Sequence, residues 1–158
     1  MIPVPDLALF LAGPWRIARR IADRRLGTTG RLTGVARFTP EAGGLRYVES
    51  GLLVFGGFSG PASRTLWFAF ERNGVADVRF ADGRPFHRVD LSSGVAHVVH
   101  HCAPDRYRGR YKVRDRDRWQ LTWFVEGPRK QICMGTRFIR SVAAGPEESI
   151  TLAVQAIR

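Results

Sequence analysis

Apolar and polar side chains alternate at every second position through a succession of short runs that fills most of this chain. The clearest run is Arg106–Arg114, where Tyr107, Gly109, Tyr111 and Val113 share one face and Arg106, Arg108, Arg110, Lys112 and Arg114 share the other. Trp119, Leu121, Trp123 and Val125 repeat the pattern. Earlier, Trp15, Ile17, Arg19 and Ile21 alternate with Arg16, Ala18, Arg20 and Ala22. A period of two is the signature of strands with one buried face. Between the runs stand turn formers: Gly43-Gly44, Arg72-Asn73-Gly74, Asp82-Gly83, Ser92-Ser93-Gly94, Ala103-Pro104-Asp105, Asp115-Arg116-Asp117 and Gly127-Pro128. Gly51 marks a bend or bulge within its run, and residues 56–63 (GGFSGPAS) read as a loop. Ahead of the strands, Asp6 is a candidate N-cap for a short helix that Gly13-Pro14 stops.

About ten consecutive strands with tight turns and no intervening helical period predict an all-β fold, a single up-and-down antiparallel β-barrel. Closure removes exposed strand edges, which favours a barrel over the alternative two-sheet sandwich. The expected organisation is one domain over 1–158, with an N-terminal helix or lid over 1–13, a barrel over 15–140 and a tail over 141–158. In the tail, Pro146, Glu147 and Glu148 suit a helix start, whereas ITLAV suits a strand, so both remain open.

The formal net charge of +11 raises nucleic acid, an anionic membrane or an anionic small molecule as partners. Of the 25 basic residues 23 are arginine, spread along the sequence without a block, so general replacement of lysine by arginine is the simpler reading and nucleic acid is disfavoured. The cysteines, Cys102 and Cys133, match no metal spacing and are too few for a disulfide framework. They fit a reducing compartment. LALFLAG is apolar, but it lacks a basic flank and is too short to span a bilayer. The expectation is therefore a cytoplasmic protein with no membrane partner.

Strand direction sorts the turns. If the first strand runs upward from Trp15, the turns at 24–30, 56–63, 81–86, 102–106 and 126–130 lie at one end. Arg64, Arg84, His87, His100, His101, Asp105, Tyr107 and Lys130 follow them there, while the opposite turns carry ordinary hairpin chemistry. That end is the predicted mouth. Tyr47 and Glu49 share a face with Gly51, and an inward Glu49 needs a cationic partner, for which Arg64, Arg88 and Arg137 are candidates. Tyr107 and Tyr111 are expected inward, because an inward Arg106–Arg114 row would be prohibitive. Which face of 95–102 points inward is left open. His100 and His101 face opposite ways, so they cannot serve one compact metal site. No metal ligand set is assigned, and no cofactor is required. Bland roles compete throughout: rim histidines bonded to Asp105, Asp90 or Tyr107, Glu49 in a structural ion pair, and Cys102 as an inert buried thiol.

Gly13-Pro14-Trp15 after a short helix resembles the G-x-W opening of calycins, the lipocalin, fatty-acid-binding and nitrobindin type of barrel. That resemblance implies an arginine late in the last strand packing over Trp15. Arg140 is favoured over Arg137, because the end of the last strand lies beside the start of the first. No residue matches the axial histidine of the heme-binding members, so heme, like metal, is disfavoured. Tyr47-x-Glu49-x-Gly51, Phe80-x-Asp82-Gly83-Arg84, Phe86-His87, His101-Cys102, Asp105-x-Tyr107 and Gly127-Pro128-x-Lys130 together resemble a bacterial family known only as a domain of unknown function, which implies no activity.

The leading expectation is a small-molecule-binding barrel, monomeric or homodimeric. It takes an anionic or amphipathic ligand at Arg64, Arg84, His87, His100, His101, Tyr107, Tyr47 and Lys130, with Trp15 and Arg140 structural. The alternative is an enzyme drawing an acid–base set from His87, His100, Asp105 and Glu49. Nucleic-acid binding by the outward arginine row ranks third.

Overall fold

A computed structural model describes residues 1–142. A short helix, α1 (Leu7–Leu11), precedes ten strands: β1 (Gly13–Asp23), β2 (Thr28–Glu41), β3 (Gly44–Phe55), β4 (Phe58–Arg72), β5 (Val75–Phe80), β6 (Pro85–Asp90), β7 (Val95–Cys102), β8 (Asp105–Asp115), β9 (Arg118–Gly127) and β10 (Lys130–Arg140). They form one antiparallel sheet in the order β6-β5-β4-β3-β2-β1-β10-β9-β8-β7. The pairing of β1 with β10 curls the meander, and β6 and β7 meet without a backbone ladder, so the barrel is nearly closed. The architecture is the up-and-down antiparallel barrel that the alternation predicts.

Bends and bulges fall elsewhere than the sequence suggests. Gly51 stays in regular register, opposite Gly34 and Ala62. Its requirement is close approach: a Cβ at Gly51 would stand 2.3 Å from the Thr33 carbonyl oxygen, and one at Gly34 2.0 Å from that of Ser50. Residues 56–63 are not a loop. Gly56 and Gly57 make the turn, and β4 begins at Phe58. Pro61 is tolerated inside that strand because β5 pairs with β4 only from Leu66 onward, leaving upper β4 an edge on that side. Bulges occur instead between Phe70 and Arg72, Val78 and Arg79, and Val113 and Asp115.

The lower half of the barrel is solid. Trp119 stacks on Phe138 with ring centroids 3.6 Å apart, and Trp15, Phe38 and Tyr111 pack around it. The N-terminal segment seals this end. Leu7 and Leu11, one helical turn apart, are fully buried, as is Val4, whose amide donates to the Leu91 carbonyl. Asp6 accepts from the Leu9 amide, the expected N-cap. Trp15 Nε1 donates to the Leu11 carbonyl at 2.8 Å. Arg140 is the cross-strand partner of Trp15 and lies 4.1 Å over its ring. Its guanidinium donates to the carbonyls of Phe10, Ala12 and Arg116 and to Asp117. Arg137 points to solvent. One arginine therefore fastens helix, first strand and last strand together. The tail beyond 142, and its two alternatives, lie outside the described residues.

Candidate functional site

The upper half differs from the floor in one respect: several of its inward side chains are not fully covered. Ile21, Leu53, Ala62, Arg64, Tyr107 and Met134 alternate with outward residues, yet each keeps contact with solvent. At this end of the barrel solvent therefore reaches apolar inward groups and the charged side chain of Arg64.

Arg64 belongs to an ion-pair network. Arg19 grips both Glu49 oxygens at 2.8 Å and donates from Nε to the Thr136 hydroxyl at 2.8 Å. The two strands involved, β1 and β3, flank β2, whose inward residues between them include the small Gly34 and Ala36. The Tyr47 hydroxyl donates to Glu49 as well. Arg64, directly opposite Glu49 on β4, approaches the same carboxylate at 3.5 Å. Burial alone would push the Glu49 carboxyl up. Hydrogen bonding from Arg19, together with the charges of Arg64 and Arg19, outweighs it and holds the group below the usual carboxylate range. Tyr47, buried beside that carboxylate, is pushed far up and stays protonated.

The charge count of this network decides what it can do. Two guanidiniums share one carboxylate, and Arg19 already satisfies both its oxygens. Arg64 is thus a second cation with a weak partner. Its side chain is 37% exposed, against 13% for Arg19 and 4% for Glu49, and its Nε is buried without a hydrogen-bond partner. A surplus positive charge faces the upper interior.

On the far wall, the bulge at Val78/Arg79 places Phe86 and His87 consecutively inside. Phe86 stacks on Phe80 and on Trp123, with centroids 4.6 and 5.2 Å apart. His87 Nε2 lies 3.1 Å from the Tyr111 hydroxyl, while its Nδ1 is buried and unpartnered. Burial, reinforced by the nearby His100 and the charge of Arg64, lowers the His87 pKa to about 3, so the ring is neutral. Burial raises the Tyr111 hydroxyl far above its ordinary value.

The inward face of β7 is now assigned: Ala96, Val98 and His100 point in, His97, Val99 and His101 out. His100 Nδ1 contacts the Phe86 carbonyl at 2.9 Å, a side-chain stitch across the unladdered β6–β7 seam. The expected histidine hydrogen bonds with Asp105, Asp90 or Tyr107 are not formed among the described residues; His87 bonds Tyr111, and His100 bonds a main-chain carbonyl and meets Tyr107 only ring edge to face.

The structure therefore divides the predicted ligand set. Tyr47, Arg64, His87, His100 and Tyr107 face the interior. His101 lies exposed on the outer wall, as the pleat requires once His100 is inward. Arg84 is exposed at the β5–β6 turn, paired with Asp82 at 2.7 Å. Lys130 is tied to Asp105 at 2.7 Å on the rim. Cys102 is exposed rather than buried. Arg88 pairs outside with Glu71 and Asp77, so of the three named partners for Glu49 only Arg64 approaches it. Arg19 and Thr136 were missed, although the alternation through Trp15 and Ile17 already placed Arg19 inside. Among the described residues no three His, Cys, Asp or Glu side chains converge to hold a metal ion.

The sequence model of a family of unknown function, DUF6314, matches residues 11–140, which is the barrel itself. This chain belongs to the DUF6314 family. No curated protein matches it by sequence. Among solved structures, an S-type phycobiliprotein lyase (CPES) from Guillardia theta superposes with a TM-score of 0.62 at 8% identity, over 86% of this chain and 91% of the lyase. A protein of unknown function from the DUF3598 family of Nostoc punctiforme gives the same TM-score at 12% identity, over 88% of this chain and 50% of that one. At these identities the DUF6314 chain shares a fold with them.

Proposed function

We propose that this DUF6314 barrel binds a small anionic or amphipathic molecule in its upper half. The anionic group meets Arg64, and the body lies among Ile21, Leu53, Tyr107 and Met134, with the Phe80–Phe86–Trp123 rings beyond. The observation that carries this reading is the incomplete neutralisation of Arg64, which is inward, half-exposed and left with the weaker share of Glu49. A guanidinium in a partly desolvated site recognises a carboxylate, sulfonate or phosphate with charge-assisted hydrogen bonds.

The acid–base reading rests on one contact, His87 with Tyr111. It has less support, because an imidazole whose pKa lies near 3 is a weak base, Glu49 is locked by Arg19 and Asp105 by Lys130.

The probe 8-anilinonaphthalene-1-sulfonate, an apolar anion whose emission rises in dry surroundings, tests the reading. Saturable binding to the folded protein is expected. Arg64→Gln is expected to weaken it about tenfold or more, the usual worth of a hydrogen bond to a charged group. An uncharged naphthalene analogue is expected to lose little. Non-saturable binding, or an Arg64→Gln affinity equal to wild type, contradicts the proposal.

A further inference from the structure

The outer faces of β4–β6 and of β10–β3 differ in how their arginines are paired. On the β4–β6 wall three of the four outward arginines are matched: Arg88 pairs with Glu71 and Asp77, Arg84 with Asp82, and Arg72 lies 3.8 Å from Asp90, while Arg79 has no ion pair among the described residues. On the outer face of β10, β1, β2 and β3 stand Arg137, Arg16, Arg20, Arg31, Arg37 and Arg46, all exposed. Among the described residues none of these six is in an ion pair. Glu41, at the lower end of β2, is the one described carboxylate on that outer face.

Register turns the imbalance into a patch. Arg20 and Arg31 are direct cross-strand partners, an arrangement that repels and is destabilising in the absence of an anion. They flank a depression of about 590 Å³ also lined by Thr29, Val54, Cys133 and Gly135. On the other side of Arg20 its cross-strand partner is Gly135, with no atom within 4 Å of where a Cβ would stand, so the outer face beside Arg20 is clear there. Exposed aliphatic side chains interleave with the charges. Ile139 and Val35 are the cross-strand neighbours of Arg16, and Leu52 is exposed on the adjoining strand.

We infer that this wall docks the protein on an anionic lipid surface, with a lipid phosphate between Arg20 and Arg31 and the aliphatic side chains at the headgroup boundary. Cationic residues interleaved with apolar ones are the chemistry that lies on anionic bilayers. A nucleic-acid strand would leave Val35, Leu52 and Ile139 without a role, and the outer face of these four strands offers no aromatic ring for base stacking. A second copy of the same wall would bring arginine against arginine. The sequence argument against membranes concerned spanning, and this wall lies on a surface.

The test is flotation with phosphatidylcholine vesicles containing about one third phosphatidylglycerol, against vesicles of phosphatidylcholine alone. Binding to the anionic vesicles only, weakening as salt rises through about 0.15 M, is the expected result. Arg20→Gln with Arg31→Gln is expected to lower the vesicle affinity about tenfold or more. Arg72→Gln with Arg79→Gln removes the same charge from the opposite wall and is expected to leave it within about twofold. A urea midpoint at or above wild type shows that each variant is folded, and unchanged binding of the naphthalene sulfonate separates this result from the fate of the interior site. Absence of binding to anionic vesicles overturns the proposal, as does equal loss in both double variants, which would mark an effect of net charge. Displacement of wild type from vesicles by a single-stranded oligonucleotide at equal phosphate concentration overturns it in favour of nucleic acid.

Discussion

His87 is the residue whose environment has the plainest consequence in solution. Its neutral ring is enclosed by Phe86, Trp123 and Tyr111, and its pKa falls from 6.5 to about 3. Because the unfolded chain takes up a proton in that window and the folded protein does not, the stability that His87 contributes is complete above pH 6.5 and is lost as pH falls toward 3. Between pH 6.5 and 4.5 the loss amounts to about 2–3 kcal/mol, at ~1.4 kcal/mol per unit. His87→Gln keeps a hydrogen-bonding group near Tyr111 and cannot titrate. Urea titrations across this range are expected to show a flat profile for the variant and a falling one for wild type; parallel profiles would contradict the burial argument. Glu49, held below its ordinary value, moves stability in the same direction at lower pH. The sequence marked both residues as unusual without disclosing their partners. Parity placed Arg19 on the inward face with Trp15, but which arginine reaches Glu49 depends on spacing across β2, which no single run reveals. His87 alternates inward with Val89, as a period of two implies, whereas Phe86 joins it inside because of the bulge at Val78/Arg79, a local slip that the period does not foresee.

At the scale of elements, alternation and turn chemistry made the strands legible, because each strand is half-buried and each turn is short. What alternation misread was residues 56–63, where glycine, serine and proline look like a loop. The segment is a strand because β3 pairs with it throughout, while its other edge, unladdered until Leu66, has no need of the Pro61 amide. The closed end depends on one side chain. Arg140 donates to three main-chain carbonyls and covers Trp15, so Arg140→Leu leaves helix-end carbonyls unmet and removes a cation–π contact. A loss of about 1–3 kcal/mol in urea unfolding is expected, with little recovery in Arg140→Lys, since an ammonium lacks the planar fork that reaches three acceptors. A midpoint within error of wild type would show that the helix is held by Leu7 and Leu11 alone.

For the molecule as a whole, the barrel is polarised twice among the described residues: fully buried below and in part solvent-touched above, with mostly paired arginines on the β4–β6 wall and unpaired ones on the β10–β3 wall. Neither polarity is visible as a block in the sequence. Arginines dispersed along the chain gather only when β10, β1, β2 and β3 lie side by side, and register then sets Arg20 against Arg31. The same curling separates the members of the predicted mouth: Arg64 and His87 turn inward, His101 faces outward, and Arg84 and Lys130 end in rim ion pairs. The central claim is that the upper interior admits an anion at Arg64. A crystal structure of the protein with 8-anilinonaphthalene-1-sulfonate tests it most directly. The account expects the sulfonate within hydrogen-bond distance of the Arg64 guanidinium and the rings against Leu53, Tyr107 or Phe80. An interior closed by side chains, with the probe confined to the outer wall, would contradict it.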